Sequence, residues 1–183
     1  KTKINMRNII YVAPFVKKRY KGGITRIAEC LSEKDSVSVF ANYEIKVEFF
    51  NSIVFEQSKN SEGKLSFENI KQALYLLLSL SRRVLHKNFD AIHFNSSAKA
   101  PLLKDQLIVF IIGLLTRKKI YFQIHYSGVD ETFLHAAFLR WVHFVLIRRI
   151  DKIILLSQSF KNELVSAGIP ENKIFVLYNF HSI

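Results

Sequence analysis

His125 stands directly after the apolar run 119–124 and is followed by Tyr126, Ser127, Asp130 and Glu131. An imidazole at the end of a strand can hydrogen-bond a sugar hydroxyl or exchange a proton near neutral pH. It can equally be a structural side chain, and the residue alone leaves both roles open. Gly22 and Gly23 precede Ile24, Ile27, Ala28 and Leu31, which recur at helical spacing. Glycines at a helix N-terminus let the backbone approach an anion closely, and the free N–H groups and helix dipole favour phosphate. A glycine pair is also an ordinary turn. The same segment carries Lys17, Lys18, Arg19, Lys21 and Arg26 with no acid among them. It reads either as a solvated basic loop or as a contact for phosphate or anionic lipid.

Other chemistries find no support in the spacing. The glycine loop does not match G-x-G-x-x-G, and neither a P-loop, a G-x-S-x-G elbow nor an H-E-x-x-H pair occurs. No nucleic-acid module signature is present, so no nucleic-acid partner is expected. His93 lies inside an apolar strand and reads as a core residue. His135 and His143 are too far apart along one helix for a zinc pair, and no metal site is expected. The single Cys30 excludes an internal disulfide or a cysteine cluster and fits a reducing cytoplasm.

Periodicity supplies the elements that must hold these residues. The runs 9–13, 37–40, 46–55, 91–94, 119–124, 153–156 and 174–177 are β-branched or aromatic and read as strands. Between them lie a helix after Gly23, a long one from a Ser66 N-cap to about Lys87, and others over 102–115 and 133–150. A short helix is capped by Ser157 or Ser159 and ended by Gly168-Ile169-Pro170. In the long helix, Phe67, Ile70, Leu74, Leu77, Leu78 and Val84 are expected to face the core, with Lys71, Gln72, Arg82 and Lys87 facing water. In 133–150, Thr132, His135, Arg140 and His143 form the polar arc. The alternation predicts an α/β fold, a parallel sheet of about six or seven strands with helices on both faces. Its ligands bind beyond the strand C-termini. That edge carries Gly22, Gly23, Asn95, His125, Ser127 and Asn179.

The chain has 183 residues, 49% of them hydrophobic, which excludes disorder and suits one domain. Its 27 Lys+Arg against 15 Asp+Glu give a net charge of +12 and call for an acidic partner. The longest charge-free apolar runs, 107–115 and 141–147, fall well short of the ~20 residues of a spanning helix. The basic segment 1–7 does not lead into a signal peptide. The two most apolar helices are bordered by Lys99, Lys104, Arg117, Lys118, Lys119, Arg140, Arg148 and Arg149. They are either buried with charges at their ends or suited to an anionic bilayer.

These residues together resemble the N-terminal half of a family 4 glycosyltransferase with the GT-B fold. Ile9-Ile10-Tyr11-Val12-Ala13-Pro14 with Gly22-Gly23 and Arg26 resembles its first strand, glycine loop and first helix. Phe89-Asp90-Ala91-Ile92-His93-Phe94 and Ile124-His125 resemble two further strands. Asp151 to Ser157, Lys161, Leu164, Gly168-Ile169 and Lys173-Ile174 resemble the segment that closes the domain. Asn179-Phe180-His181-Ser182 keeps the family's N-G-V-D only in part.

The resemblance implies a Rossmann-like half of a GT-B enzyme. That enzyme would transfer a sugar from a nucleotide-sugar to a glycan or lipid-linked acceptor, with retention and without a metal or further cofactor. Surface polysaccharide or glycolipid biosynthesis is the expected setting, in the cytoplasm or peripherally on the inner face of the membrane. His125 matches the catalytic-cleft histidine at the transferred sugar, and Gly22 and Gly23 match the donor-phosphate loop. Lys17, Arg19, Asn95 and Ser127 are expected to contact the acceptor or an anion. Residues 1–183 would form one acceptor-side domain, inactive alone, with the nucleotide-sugar domain outside this sequence. A stand-alone Rossmann-like module that binds anions is the other expectation.

Overall fold

The computed structural model describes residues 6–15, 23–53, 67–97, 100–125 and 137–178. Six parallel strands form one sheet in the order β2-β1-β3-β4-β5-β6. They are β1 (Arg7–Ala13), β2 (Ile45–Asn51), β3 (Ala91–Ser96), β4 (Lys119–Ile124), β5 (Lys152–Leu155) and β6 (Ile174–Val176). The helices are α1 (Gly23–Ser32), α2 (Lys34–Asn42), α3 (Phe67–His86), α4 (Ala100–Leu115), α5 (Ala137–Ile147) and α6 (Gln158–Ser166).

Strand order decides which face each helix covers. The step from β1 to β2 runs one way along the sheet and every later step runs the other. Right-handed crossovers therefore put α1 on one face and α3 to α6 on the opposite one. The packing agrees. Ile10, Val12, Ile92, Phe94, Ile120, Phe122, Ile153 and Leu155 form one core with residues of α3, α4, α5 and α6. Tyr11, Ala13 and Ala28 form a smaller core on the α1 side.

The two aspartates that open strand motifs are structural. Asp90 Oδ2 accepts from Asn8 N at 2.7 Å, and Asp151 Oδ2 accepts from Ile120 N at 2.8 Å. Each carboxylate precedes its strand and receives an N–H near the start of the neighbouring one, which fixes the register. Both ends of α6 are built as expected. Ser157 Oγ accepts from Phe160 N, while Gly168, at φ +100°, and Ile169 donate to Val165 and Leu164 O.

Three expectations are corrected. Residues 37–40 are not a strand but lie within α2, with Val37 and Val39 exposed. The place beside β1 is taken by β2 over seven residue pairs, and in the Val-Ser-Val-Phe segment tertiary context overrides β-propensity. The expected core face of α3 is also turned. Gln72, Leu76, Leu80 and Val84 are buried, whereas Phe67, Ile70, Leu74 and Leu78 are exposed. Leucines surround this helix, and the i, i+4, i+8 series Leu76, Leu80, Val84 seats on the sheet. Finally, His143 is no part of a polar surface. It is buried, and its Nδ1 bonds the Gln106 Oε1 of α4, because α4 and α5 pack side by side there. Ser66, residues 54–55 and residues 133–136 lie outside the described residues.

Candidate functional site

All six strands are parallel, so β1, β3 and β4 end on one edge, and side chains two apart share a face. Register then sets Tyr11 beside His93, Asn95 beside Gln123, and His125 one step beyond Ile124. His125 N donates to Ser96 O at 2.9 Å, which extends the ladder to the histidine itself.

These polar residues form one network on the α1 side of the sheet. Asn95 is 3% exposed and sits at its centre. Its Nδ2 donates to Val12 O at 3.0 Å. A carbonyl only accepts, so this bond fixes the amide, and Oδ1 faces the two remaining partners. Tyr11 Oη donates to Oδ1 at 3.2 Å and His125 Nε2 lies 2.8 Å from it. Nε2 therefore carries the proton, and Nδ1 of the neutral ring is the acceptor.

Burial, and after it the neighbouring His93, hold the His125 pKa down to about 4. The ring is thus uncharged at neutral pH. His93 is also pushed down to about 4 by burial, against the opposing hydrogen bond to Gln123 Oε1 at 2.9 Å. Burial pushes Tyr11 up to about 12, so its hydroxyl stays a donor. The Tyr11 ring also packs on His93, with centroids 4.9 Å apart. A neutral imidazole fixed in one tautomer is suited to receive a hydroxyl hydrogen bond, and unsuited to supplying positive charge.

Two further groups shape this edge. Ser96 Oγ donates to Asp105 Oδ2 at 2.7 Å, tying the end of β3 to α4. Burial raises the Asp105 carboxyl, against the nearby Lys104. Asn51, at the end of β2, accepts from Phe15 N at 2.9 Å and donates to Phe15 O at 3.1 Å. That reciprocal pair anchors the chain just before the basic segment.

The structure brings Asn95 and His125 together. Asn95, expected to contact an acceptor or anion, has both amide atoms engaged within the protein. Gly23 opens α1 and is exposed; a Cβ there would meet nothing within 4 Å. Packing among the described residues therefore does not require glycine at that position. Lys17, Arg19, Gly22, Ser127 and Asn179 lie outside the described residues. Sequence reasoning missed Tyr11, Asn51 and Asp105. The alternation of β3, with Ile92 and Phe94 on one face and His93 and Asn95 on the other, is the signal that marks this polar stripe.

Comparison with known proteins follows the same outline. The model of Glycosyltransferase Family 4 matches residues 23–182. An uncharacterised 41.2 kDa protein in the cps region of Klebsiella pneumoniae is 25% identical over 181 residues, which cover 96% of this chain and 47% of that protein. The chain thus spans about half the length of the curated relative it matches. The lipopolysaccharide outer core galactosyltransferase WaaB shares the fold at a TM-score of 0.58 and 16% identity, over 96% of this chain and 46% of WaaB. HepE of Anabaena, solved in complex with UDP-glucose, does so at 0.51 and 15% identity, over 94% and 43%.

Proposed function

This chain belongs to glycosyltransferase family 4, and on that premise we propose that it is the N-terminal, acceptor-side domain of an enzyme that transfers a sugar from a nucleotide-sugar to a glycan or lipid-linked acceptor. The observation that carries the proposal is the His125–Asn95–Tyr11 network at the strand C-terminal edge, in a chain of this family. HepE and WaaB are the precedents for the donor class, through a UDP-glucose complex and a galactosyltransferase activity respectively. Retention, independence from metals and other cofactors, and a role in surface polysaccharide or glycolipid synthesis are carried over from the family resemblance.

In this reading His125 Nδ1 accepts a hydroxyl of the transferred sugar. Asn95 does not touch substrate; it holds the imidazole in its tautomer. The N-terminus of α1, with Gly22 and Gly23, receives the donor diphosphate. Lys17, Arg19 and Ser127 contact the acceptor or an anion. The anomeric centre develops positive charge as the diphosphate leaves, so a neutral histidine binds the sugar without opposing that charge.

The same proposal sets the enzyme peripherally on the cytoplasmic face of a membrane. Among the described residues no helix is long and apolar enough to cross a membrane. Phe67, Leu74, Leu78 and Leu85 form an exposed stripe on α3, bordered by Lys71 and Arg82, and this pattern supports docking on an anionic bilayer.

The test is turnover of a panel of nucleotide-sugars by the full-length protein, with the product anomer read by NMR in the presence of a chelator. Turnover of a donor with retained configuration is expected. An inverted product or the absence of turnover with every donor would overturn the proposal. Binding without turnover would fit an anion-binding module instead.

A further inference from the structure

A second cleft opens at the opposite edge of the sheet, where β4 and β5 begin. It encloses about 710 Å³ between the end of α4, the end of α5 and the turn before β6. Its charge is one-sided. Arg117, Lys118, Arg148, Arg149, Lys152 and Lys173 line it, against the single carboxylate of Asp151. That carboxylate already holds Ile120 N.

Cations often gather at helix C-termini to satisfy the last carbonyls. Here other groups do that. Lys173 Nζ donates to the carbonyls of Arg148 at 3.2 Å and Ile150 at 3.0 Å, closing α5. Thr116 N and Oγ1 donate to Ile112 O at 2.9 and 3.0 Å, closing α4. Lys152 Nζ donates to Asn172 O. Among the described residues, Arg117, Lys118, Arg148 and Arg149 have no ion-pair partner. Gly113 helps to gather them. A Cβ at that position would lie 3.1 Å from both Arg149 Cβ and Ile120 Cδ1, so glycine lets α4 close on the root of Arg149.

Four cations around one cleft repel each other until an anion joins them. The guanidinium fork matches phosphate oxygens in pairs, and the volume suits a small ligand. We propose that this cleft binds a ligand carrying two or more phosphate groups, separately from the transferase site. A soluble polyphosphate and a phosphorylated lipid headgroup present the same chemistry.

The test is calorimetric titration of the full-length protein with inorganic tripolyphosphate, alongside sedimentation with vesicles of cardiolipin, which carries two phosphates, in phosphatidylcholine. The variant is Arg117→Gln with Arg149→Gln. Lys34→Gln with Lys46→Gln removes the same charge from exposed sites elsewhere. Saturable tripolyphosphate binding, weakened about tenfold or more by the cleft pair and little by the control pair, is the expected result. Binding to vesicles alone, lost in the cleft pair only, would assign the phosphate to lipid. No binding in either assay, or equal loss in both pairs, would overturn the proposal.

Discussion

His125 Nε2 lies 2.8 Å from Asn95 Oδ1, and the Val12 carbonyl fixes that amide from its other side. The histidine's tautomer is therefore set by backbone geometry two strands away. Replacing Asn95 with Asp puts a carboxylate where the amide was. The His125 pKa is expected to rise from about 4 by at least about one unit, because a negative neighbour favours the charged ring. NMR titration of the imidazole reads this directly, and an unmoved pKa would remove Asn95 from the role of positioning residue.

Two desolvated histidines give the fold a pH signature. His93 and His125 ordinarily titrate at 6.5 and are held at about 4 in the folded chain. Between those values the unfolded state binds more protons. Stability is thus fully present above pH 6.5 and falls as pH drops toward 4, by at most about 1.4 kcal/mol per pH unit for each histidine. Buried Asp105, with its carboxyl raised, slopes the other way over its own range. Urea unfolding of the parent and of His93→Gln at pH 7.5, 6 and 5 isolates the histidines. The variant should show the shallower loss, and identical slopes would count against a desolvated His93.

Leu80 and Leu78 test which way α3 faces. Leu80 is fully buried and Leu78 is 69% exposed. Leu80→Ala should cost about 2–5 kcal/mol by opening a cavity. Leu78→Ser should change stability by no more than about 0.5 kcal/mol. Chemical denaturation of the two variants decides, and a large loss from Leu78→Ser would restore the opposite orientation.

Gly168 holds φ +100° at the end of α6, where an L side chain is strained. Gly168→Ala is expected to lower stability by about 1–2 kcal/mol, measured by thermal unfolding. No change would mean that the turn adapts.

Much of this was legible in the residues, for physical reasons that differ by element. Strands β1, β3, β4 and β5 are short apolar runs that alternate with helices, and a parallel sheet covered on both faces buries such runs. Gly168 and Ser157 announced the ends of α6 because cap chemistry is local. What failed depends on distant partners. The alternation at 37–40 suits a strand, but β2 takes the place beside β1 and 37–40 lie within α2. On α3 the leucines surround the axis, so the packing of Leu76, Leu80 and Val84 against the sheet had to choose the face. At the site, His125 stood out by type and position. Its partners Asn95 and Tyr11 lie 30 and 114 residues earlier in the chain, and only the strand register brings them to it.

The most direct measurement is steady-state turnover of the full-length protein carrying His125→Ala, with the proposed nucleotide-sugar donor and acceptor. The domain should stay folded, because Asn95 keeps its bonds to Val12 and Tyr11. A fall in kcat of about a hundredfold or more is expected, with circular dichroism unchanged. Near-parental turnover in a folded variant would contradict this and remove His125 from the sugar site.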